Sequence, residues 1–325
     1  MDASSSATDR FVHPALFYRD TVEYLEHTVP FVREGLAAGE PVAVAVPRGN
    51  LERLRAELGR DAERVRLMDM GEAGRNPGRI IPGVLRAFTD AHRGKRVRII
   101  GEPIWPSRSD LEYPACVQHE ALINFAFAGR DVTILCPYDA AGLHPRVLAD
   151  AEATHPTLLD GTGQRASDSY APKDIVNTYN RPFPEPPAAV AMTVGALHLA
   201  RARYLVRERA GAAGLTGDRV ADLELVATEL LANSIDHGGG VGTLRLWTAD
   251  TYLVCEVSDH GCITDPLAGR IPVPPSRAGG RGLLLVNHLS DLVRLHTGAG
   301  GTTVRAYFRL PRPQRGAGGG SVLDG

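Results

Sequence analysis

Cysteine is scarce in this chain of 325 residues, which has four cysteines and no CxxC pair. Two of the four lie in strand-like runs, so the sequence predicts buried free thiols and argues against a disulfide framework. The four are Cys116, Cys136, Cys255 and Cys262.

Lysine and long apolar runs are also rare. Lys95 and Lys173 are the two lysines among 36 basic residues, and the formal net charge of −2 argues against a general nucleic-acid binder. No apolar run reaches the ~18 residues that cross a bilayer. Residues 1–9 are Ser-rich and polar, unlike a signal peptide. We therefore expect a cytoplasmic protein that binds neither nucleic acid nor a membrane directly.

The first part of the chain, residues 11–165, alternates short apolar strands with helical segments. This order is typical of a parallel sheet with helices on both faces. Strands are predicted at 41–47, 65–69, 96–101 and 131–137, and helices at 21–38, 51–58, 81–92 and 115–128. The expected fold is an α/β RecA-like parallel-sheet domain.

The second part, residues 190–312, has a different order and is predicted to be an α+β domain. Helices are predicted at 190–210, 219–237 and 283–289, and strands at 242–249, 252–258, 291–296 and 302–310.

Three further segments have the composition of connecting or disordered chain. Residues 166–189, which are Pro-rich from 181 to 187, are predicted to be a partly stiff linker. Residues 1–10 and 313–325 are expected to be disordered.

The first candidate site residues of the second part are two polar side chains on one predicted helix. Glu229 and Asn233 are four residues apart on the predicted helix 219–237 and therefore share one face. An Asn carbonyl and a Glu carboxylate facing one cleft suit a Mg²⁺-triphosphate site that also needs a proton acceptor. An ordinary solvated helix face has the same spacing.

Three short motifs follow this pair along the chain. Asp259 and Gly261 end a predicted strand, where the carboxylate could bind a purine amino group, or a common Asp-Gly turn could form. Thr302 follows a tight turn between the last two strands and could add a hydroxyl near a base. Between Gly261 and Thr302, a glycine-rich loop precedes a predicted helix. The first N–H groups of that helix can hold phosphates, or the loop is simply a flexible entry to the helix. The loop residues are Gly279, Gly280, Arg281 and Gly282.

In this order the motifs resemble the N, G1, G2 and final Thr boxes of the GHKL (Bergerat-fold) ATPases. The run from Ala227 to Gly238 and the short segment between Gly261 and Gly279 resemble the RsbW-like anti-sigma-factor serine/threonine kinases of that superfamily. The resemblance covers about residues 190–311 and implies an α+β GHKL (Bergerat) ATPase sandwich that uses ATP and Mg²⁺.

The resemblance also implies roles for these residues. Glu229 would be the general base that activates a Ser or Thr hydroxyl on an antagonist protein. Asn233 would bind Mg²⁺, Asp259 would recognise adenine, and Thr302 would lie near the base. The glycine loop would line the phosphates. The implied cofactor-binding set is Asn233, Asp259, Gly261, Gly279, Gly280, Arg281, Gly282 and Thr302.

Partners follow from the same resemblance: a sigma factor, an anti-anti-sigma protein of the STAS type, and a second copy of the chain, because related kinase domains pair. Two alternatives stay open. One is a partner-switch protein that binds ATP without catalysis. The other is a histidine-kinase-like sensor, for which His198 on the first helix of this part is followed by Leu199 and Ala200, where an acidic neighbour is usual.

The first part has no GxxxxGK[ST] loop, since its first predicted strand is followed by Pro47-Arg-Gly-Asn50. Nucleotide hydrolysis is therefore not expected there. Polar residues instead collect at strand ends and on the helix between them, where open sheets place ligands. The candidate sensory pocket consists of Glu102, Trp105, His119, Glu120, Cys136, Asp139 and His155.

Two motifs of this part, Gly-Glu-Pro-Ile-Trp at 101–105 and Leu-Cys-Pro-Tyr-Asp at 135–139, resemble the MEDS sensory domain of bacterial regulators. The resemblance implies a small-molecule ligand. Residues 119–124 are not a zincin helix, because the second His is missing. A metal bound by His119, Glu120, Cys136 and His155 is one interpretation of these residues, and a buried polar network at the sheet ends is the other.

Overall fold

The computed structural model of the protein describes residues 10–186, 188–273 and 279–311. Of the predicted disordered segments, 1–10 and 313–325, only Arg10 lies within these residues.

The first part forms one sheet of eight strands. Its order is β4-β3-β5-β6-β2-β7-β8, with β1 beside β6, and the neighbours are parallel except for the β7–β8 hairpin. The strands are β1 (Phe11–Val12), β2 (Pro14–Tyr18), β3 (Val42–Val46), β4 (Arg66–Asp69), β5 (Val97–Gly101), β6 (Val132–Asp139), β7 (Thr157–Asp160) and β8 (Gly163–Ala166).

Helices cover both faces of this sheet. They are α1 (Thr21–Ala37), α2 (Arg48–Leu58), α3 (Met70–Ala73), α4 (Ala87–Ala91), α5 (Tyr113–Ala126), α6 (Pro145–Thr154) and α7 (Pro172–Tyr179), and a π-helical segment, Ile80–Arg86, precedes α4. Ile99 and Ile134 enter the core on one face, and Ile100 and Leu135 enter the core on the other. Burial on both faces explains why these strands are continuously apolar. The α/β class is confirmed, whereas the RecA-like topology stays a prediction.

The expected linker contains regular structure. Helix α7 lies within residues 166–189, and its Ile175 and Tyr179 pack against Val117 and Ala121 of α5. The segment is a helix because α5 offers an apolar surface to its one apolar face, although eight residues are too few to give a clear helical period in sequence.

The second part forms an antiparallel sheet of five strands in the order β12-β13-β11-β10-β9. They are β9 (Val190–Gly195), β10 (Val241–Ala249), β11 (Tyr252–Asp259), β12 (Leu292–Gly298) and β13 (Gly301–Arg309). Three helices pack on one face: α8 (Leu199–Ala212), α9 (Asp218–His237) and α10 (Gly282–Leu289).

The predicted helix at 190–210 is wrong in its first residues. Val190–Gly195 is strand β9, which pairs with β10 so that Thr193 lies opposite Thr243. The pairing partner is some fifty residues away in sequence, so the helical pattern that begins at Leu199 could not reveal it.

The second face of the antiparallel sheet is covered by the first part of the chain. Tyr252, Val254, Leu292 and Tyr307 pack around Ala115 of α5, and all five are buried. Helix α5 therefore joins the two sheets. In the described parts of the chain, no helix combines the length and the apolar character needed to cross a bilayer.

Candidate nucleotide site and sensory-domain clusters

Helix α9 contributes one wall of a cavity of about 490 Å³ between α9, β11 and α10. Asn233, Ser234 and His237 line this cavity. Glu229 lies one turn before Asn233 on the same face, while Val226 and Leu230 are buried in the core. The volume lies within the range of pockets that bind small molecules and cofactors.

Asp259 is the last residue of β11 and lines this cavity. Its Oδ2 accepts a hydrogen bond from the Ser234 hydroxyl (2.6 Å), and its Oδ1 accepts one from the Gly261 N–H (2.8 Å). Each carboxylate oxygen has a second lone pair. The side chain is thus held in one orientation while it can still accept a hydrogen bond from a ligand amino group.

Thr302 and Gly301 of β13 support this end of the cavity. Thr302 is the register partner of Asp259, and its hydroxyl donates to the Gly261 carbonyl (2.9 Å). Gly301 has φ +114°, and a Cβ on it would overlap the Asp259 carbonyl oxygen. Glycine is therefore required beside Asp259.

The glycine loop brings the start of α10 to the other end of the cavity. Gly279 and Gly280 have φ of +76° and +77°, and Gly280 and Gly282 line the cavity. A Cβ on Gly282 would lie 2.8 Å from Glu229 Oε2 and 3.3 Å from Asn233 Nδ2. The first turn of α10 therefore stands directly beside these two side chains. Arg281, also in the loop, is exposed.

These residues have the chemistry that Mg-ATP requires. Asp259 is an oriented acceptor for an amino group at one end. At the other end, the first N–H groups of α10 can hold phosphate, and Asn233 and Glu229 offer oxygen ligands of the kind that Mg²⁺ prefers. The structure thus brings the four sequence motifs together around one cavity.

A segment between Gly261 and α10, residues 262–273, forms a lid over this cavity. Leu267 and Ile271 line the cavity and also pack against the core of the first part of the chain. The lid is therefore in contact with both halves of the protein.

Asn287 connects the lid, α10 and the first part of the chain. Its side-chain Nδ2 donates to the Gly269 carbonyl (3.1 Å) and to the Leu283 carbonyl (3.0 Å). Its backbone carbonyl accepts from Asn76 Nδ2 (2.8 Å), and Asn76 Oδ1 accepts from the Val293 N–H (3.3 Å). Asn76 is fully buried, so these contacts are shielded from water.

The seven residues of the predicted sensory pocket fall into separate groups. Glu102 is fully buried and accepts hydrogen bonds from the Tyr18 hydroxyl (2.9 Å) and from Asn50 Nδ2 (2.9 Å). Burial raises the pKa of Glu102 to about 8, against these two hydrogen bonds.

Trp105, Asp139 and His119 each have contacts outside the predicted set. The Arg108 guanidinium stacks on the Trp105 ring at 4.2 Å. Asp139 accepts hydrogen bonds from the Ala141 and Gly142 N–H groups. His119 is buried in α5, and burial lowers its pKa to about 3.

Glu120, Cys136 and His155 do come together, with His13 as the fourth member. Glu120 Oε2 lies 3.1 Å from His155 Nε2 and 3.6 Å from His13 Nε2, and Cys136 Sγ lies 3.4 Å from His13 Nε2. Burial lowers the pKa of His13 to about 4. Burial acts to raise the pKa of Glu120, but the close approach of His13 and His155 brings it below its usual range.

His119 is replaced by His13 in this cluster for a geometric reason. His119 and Glu120 are consecutive in α5, so their side chains point about 100° apart, and Glu120 is the one that faces the other three residues. The expected set with His119 is therefore corrected to one with His13.

The sequence did not predict Ser234, His13 or Asn76. Ser234 directly follows Asn233, so the helical motif itself contained a signal. His13 and Asn76 have partners more than a hundred residues away, which only the tertiary fold brings close.

Two family models match separate parts of the chain. Residues 12–156 match the MEDS family (MEthanogen/methylotroph, DcmR Sensory domain). Residues 193–308 match the family of histidine kinase-like ATPase domains.

Among solved structures, the chain is similar to the RsbU and RsbW domains of Rv1364c from Mycobacterium tuberculosis. The identity is 23% and the TM-score 0.30, and the match covers 39% of this chain and 34% of that chain. The chain thus spans about a third of the length of that protein.

Proposed function

We propose that this chain, in which a MEDS domain is followed by a histidine kinase-like ATPase domain, is an ATP-dependent serine/threonine protein kinase of the anti-sigma type. It would phosphorylate an anti-anti-sigma protein of the STAS type and thereby regulate a sigma factor. The observation that carries this proposal is the placement of Glu229 and Asn233 beside the first turn of α10, at a cavity that Asn233, Gly282 and Asp259 line.

The proposed reaction assigns one task to each end of the cavity. Asp259 holds the adenine amino group, and the start of α10 holds the phosphates. Glu229 takes the proton from the Ser or Thr hydroxyl of the partner as its oxygen bonds to the γ-phosphorus. The bond from that phosphorus to the β–γ bridging oxygen breaks, and ADP leaves. Mg²⁺, held by Asn233, would neutralise phosphate charge, so catalysis consists chiefly of positioning and charge compensation.

A test of Glu229 separates catalysis from binding. We expect Glu229→Gln in the full chain to lower phosphoryl transfer at least about 100-fold, because a carboxamide cannot accept the proton. ATP affinity, measured by isothermal titration calorimetry, should change by less than about threefold, since Gln keeps the size and polarity of Glu. The acceptor is the protein captured from the native cell on the immobilised parent chain, and the product is phosphoserine or phosphothreonine.

Glu224→Gln is the matched control, because Glu224 is on α9 and pairs with Arg207 away from the cavity. It should transfer phosphate like the parent. Transfer by Glu229→Gln at the parent's rate would contradict the assignment of the base.

A second candidate, an ATP-binding partner switch without catalysis, is favoured by one observation. The lid that covers the cavity is packed against the MEDS domain through Leu267 and Ile271, so nucleotide binding can alter surfaces outside the cavity. In this case the parent itself forms no phosphoprotein, while capture of the partner depends on ATP and survives Glu229→Gln.

The structure does not favour a histidine-kinase mechanism. His198, expected on the first helix, lies exposed in the turn before α8, and the element before it is strand β9 rather than a dimerising helix. Acid-labile phosphate on the chain itself would be the sign of that mechanism.

A further inference from the structure

We propose that His13, Glu120, Cys136 and His155 bind one transition-metal ion, with zinc as the best match, inside the MEDS domain. The four side chains come from separate elements: His13 precedes β2, Glu120 is on α5, Cys136 is on β6, and His155 follows α6. All four are buried, with exposed fractions of at most 1%.

The distances between the donor atoms suit a tetrahedral ion. The four atoms lie within 4.8 Å of one another, and three of the separations are 3.1, 3.4 and 3.6 Å. Zinc bonds of about 2.0–2.3 Å in a tetrahedron separate the ligand atoms by about 3.3–3.8 Å. The three short separations are close to this range, and no other separation exceeds it by more than about 1 Å.

Outer hydrogen bonds direct a lone pair of each imidazole toward the centre of the cluster. His155 Nδ1 lies 2.8 Å from the Ala151 carbonyl, so it must carry the proton. His13 Nδ1 lies 3.1 Å from Asn124 Oδ1, and Asn124 is oriented by its own donation to the Thr154 carbonyl (2.8 Å). Both Nε2 atoms are thus available to a metal, in the way that outer partners fix metal-bound histidines.

Polar atoms in the cluster lack partners. Both carboxylate oxygens of Glu120 and Nε2 of His155 are fully buried and have no properly directed hydrogen bond within the part of the chain that the structure describes. Burying such groups without partners is costly. A central cation would satisfy His155 Nε2 and one carboxylate oxygen of Glu120 at once.

Charge and ligand type favour zinc over hard cations. One carboxylate and one thiolate together balance a divalent ion, which leaves the buried site neutral. Two imidazole nitrogens and a sulfur suit zinc, whereas Mg²⁺ and Ca²⁺ require oxygen ligands. The site is distinct from the proposed Mg²⁺ position at Asn233, which lies in the other domain.

The test uses the full chain produced in medium supplemented with zinc or with cobalt alone, and dialysed against a chelator in the folded state. We expect about one equivalent of metal per chain by mass spectrometry, because ions in closed structural sites are held by all four ligands. The cobalt form should show a thiolate-to-cobalt charge-transfer band. Cys136→Ser should lose that band and most of the metal.

Cys116→Ser is the matched control, since Cys116 is a buried thiol of the same domain that lies outside the cluster. It should retain the metal and the band. The metal content of the parent chain tests the proposal even if a variant fails to fold. If the folded parent contains no metal after growth in either medium, the proposal is overturned. The proposal is also wrong if Cys136→Ser keeps all of its metal and its cobalt spectrum is unchanged.

Discussion

At the scale of single residues, Asp259 shows how the fold prepares a side chain for a ligand. Ser234 donates a hydrogen bond to one carboxylate oxygen and Gly261 donates one to the other. The carboxylate therefore does not need to reorient when a nucleotide base binds. Preorganisation of this kind lowers the cost of binding. If Asp259 binds a nucleotide as proposed, Ser234 contributes to that binding by holding the carboxylate in place.

We predict that Ser234→Ala weakens ATP binding to the full chain about fivefold, since one hydrogen bond to a charged acceptor is worth about 1 kcal/mol or more. Asp259→Ala should weaken it by more than about tenfold because the acceptor itself is gone. Isothermal titration calorimetry measures both. Ser258→Ala is the control, because Ser258 is on β11 one residue earlier and contacts Arg245 instead. Equal affinity of Ser234→Ala and the parent would show that the contact is not used.

A second residue prediction concerns the pH dependence of stability. The pKa of Glu102 is raised from 4.5 to about 8 in the folded protein, chiefly by burial. The folded state therefore holds a proton that the unfolded state releases. The stability that this proton provides is complete below pH 4.5 and is lost as pH rises toward 8.

Glu102→Gln should remove this dependence while keeping an acceptor for Tyr18 and Asn50. Relative to the variant, the parent should lose about 1.4 kcal/mol of unfolding free energy per pH unit between about 5 and 8. Urea unfolding at several pH values checks this. Parallel curves for the two proteins would mean that Glu102 has an ordinary pKa.

Among the residues of the sites, those near each other in sequence were the predictable ones. Glu229 and Asn233 share a helix face, so their spacing alone placed them together. Asn76 donates to the carbonyl of Asn287 across 211 positions, and no local pattern encodes such a pair. That His13 and not His119 belongs to the cluster was likewise not encoded locally. His119 and Glu120 are consecutive on α5, and the orientation of the helix in the fold decides which of them faces the cluster.

At the scale of elements, α10 joins the phosphate end of the cavity to the rest of the molecule. It starts at Gly282, where space beside Glu229 and Asn233 is limited, and Asn287 near its end contacts the lid. A change at its first residue should therefore act on the side chains of Glu229 and Asn233.

We predict that Gly282→Ala lowers phosphoryl transfer at least about tenfold, because the added methyl group would displace Glu229 Oε2, which would lie 2.8 Å from it. Adenosine binding at Asp259 should change little. Steady-state transfer and adenosine titration distinguish the two ends. Gly298→Ala, at a position where a Cβ meets no atom within 4 Å, should behave like the parent. A Gly282→Ala protein with full transfer activity would show that the carboxylate lies elsewhere during catalysis.

Elements with strong local signals were predicted well. Strands β3, β5 and β11 and helices α1 and α9 begin and end close to their predicted limits, because each has a continuous apolar or helical pattern of adequate length. Strands β2 and β9 and helix α7 were missed or misassigned. All three are short and exist because a distant partner pairs or packs with them.

At the scale of the whole molecule, the part of the chain that matches the MEDS family is attached to the part that matches the ATPase family at several points. Asn76 binds both α10 and β12, Arg75 lies 3.3 Å from Asp291, and the lid packs on the MEDS core. A change in the MEDS domain can thus reach the nucleotide cavity through buried polar contacts.

Asn76→Ala should destabilise this connection by about 2–4 kcal/mol, since it leaves several buried backbone groups without partners. We expect faster hydrogen exchange in lid residues 262–273 and faster dissociation of ATP from the full chain. Asn177→Ala, an exposed position on α7, is the control. Unchanged lid exchange in Asn76→Ala would show that the lid moves independently of the MEDS domain.

The apolar face that Tyr252, Val254, Leu292 and Tyr307 present to α5 has a practical consequence for truncated proteins. If the ATPase domain is produced alone, these side chains lose their cover, and exposed apolar patches of this kind promote self-association. A dimer of the isolated domain would then result from the loss of the first part of the chain and would not indicate a native dimer. The oligomeric state, and any surface mapped by binding, should therefore be measured on a protein that contains both parts of the chain.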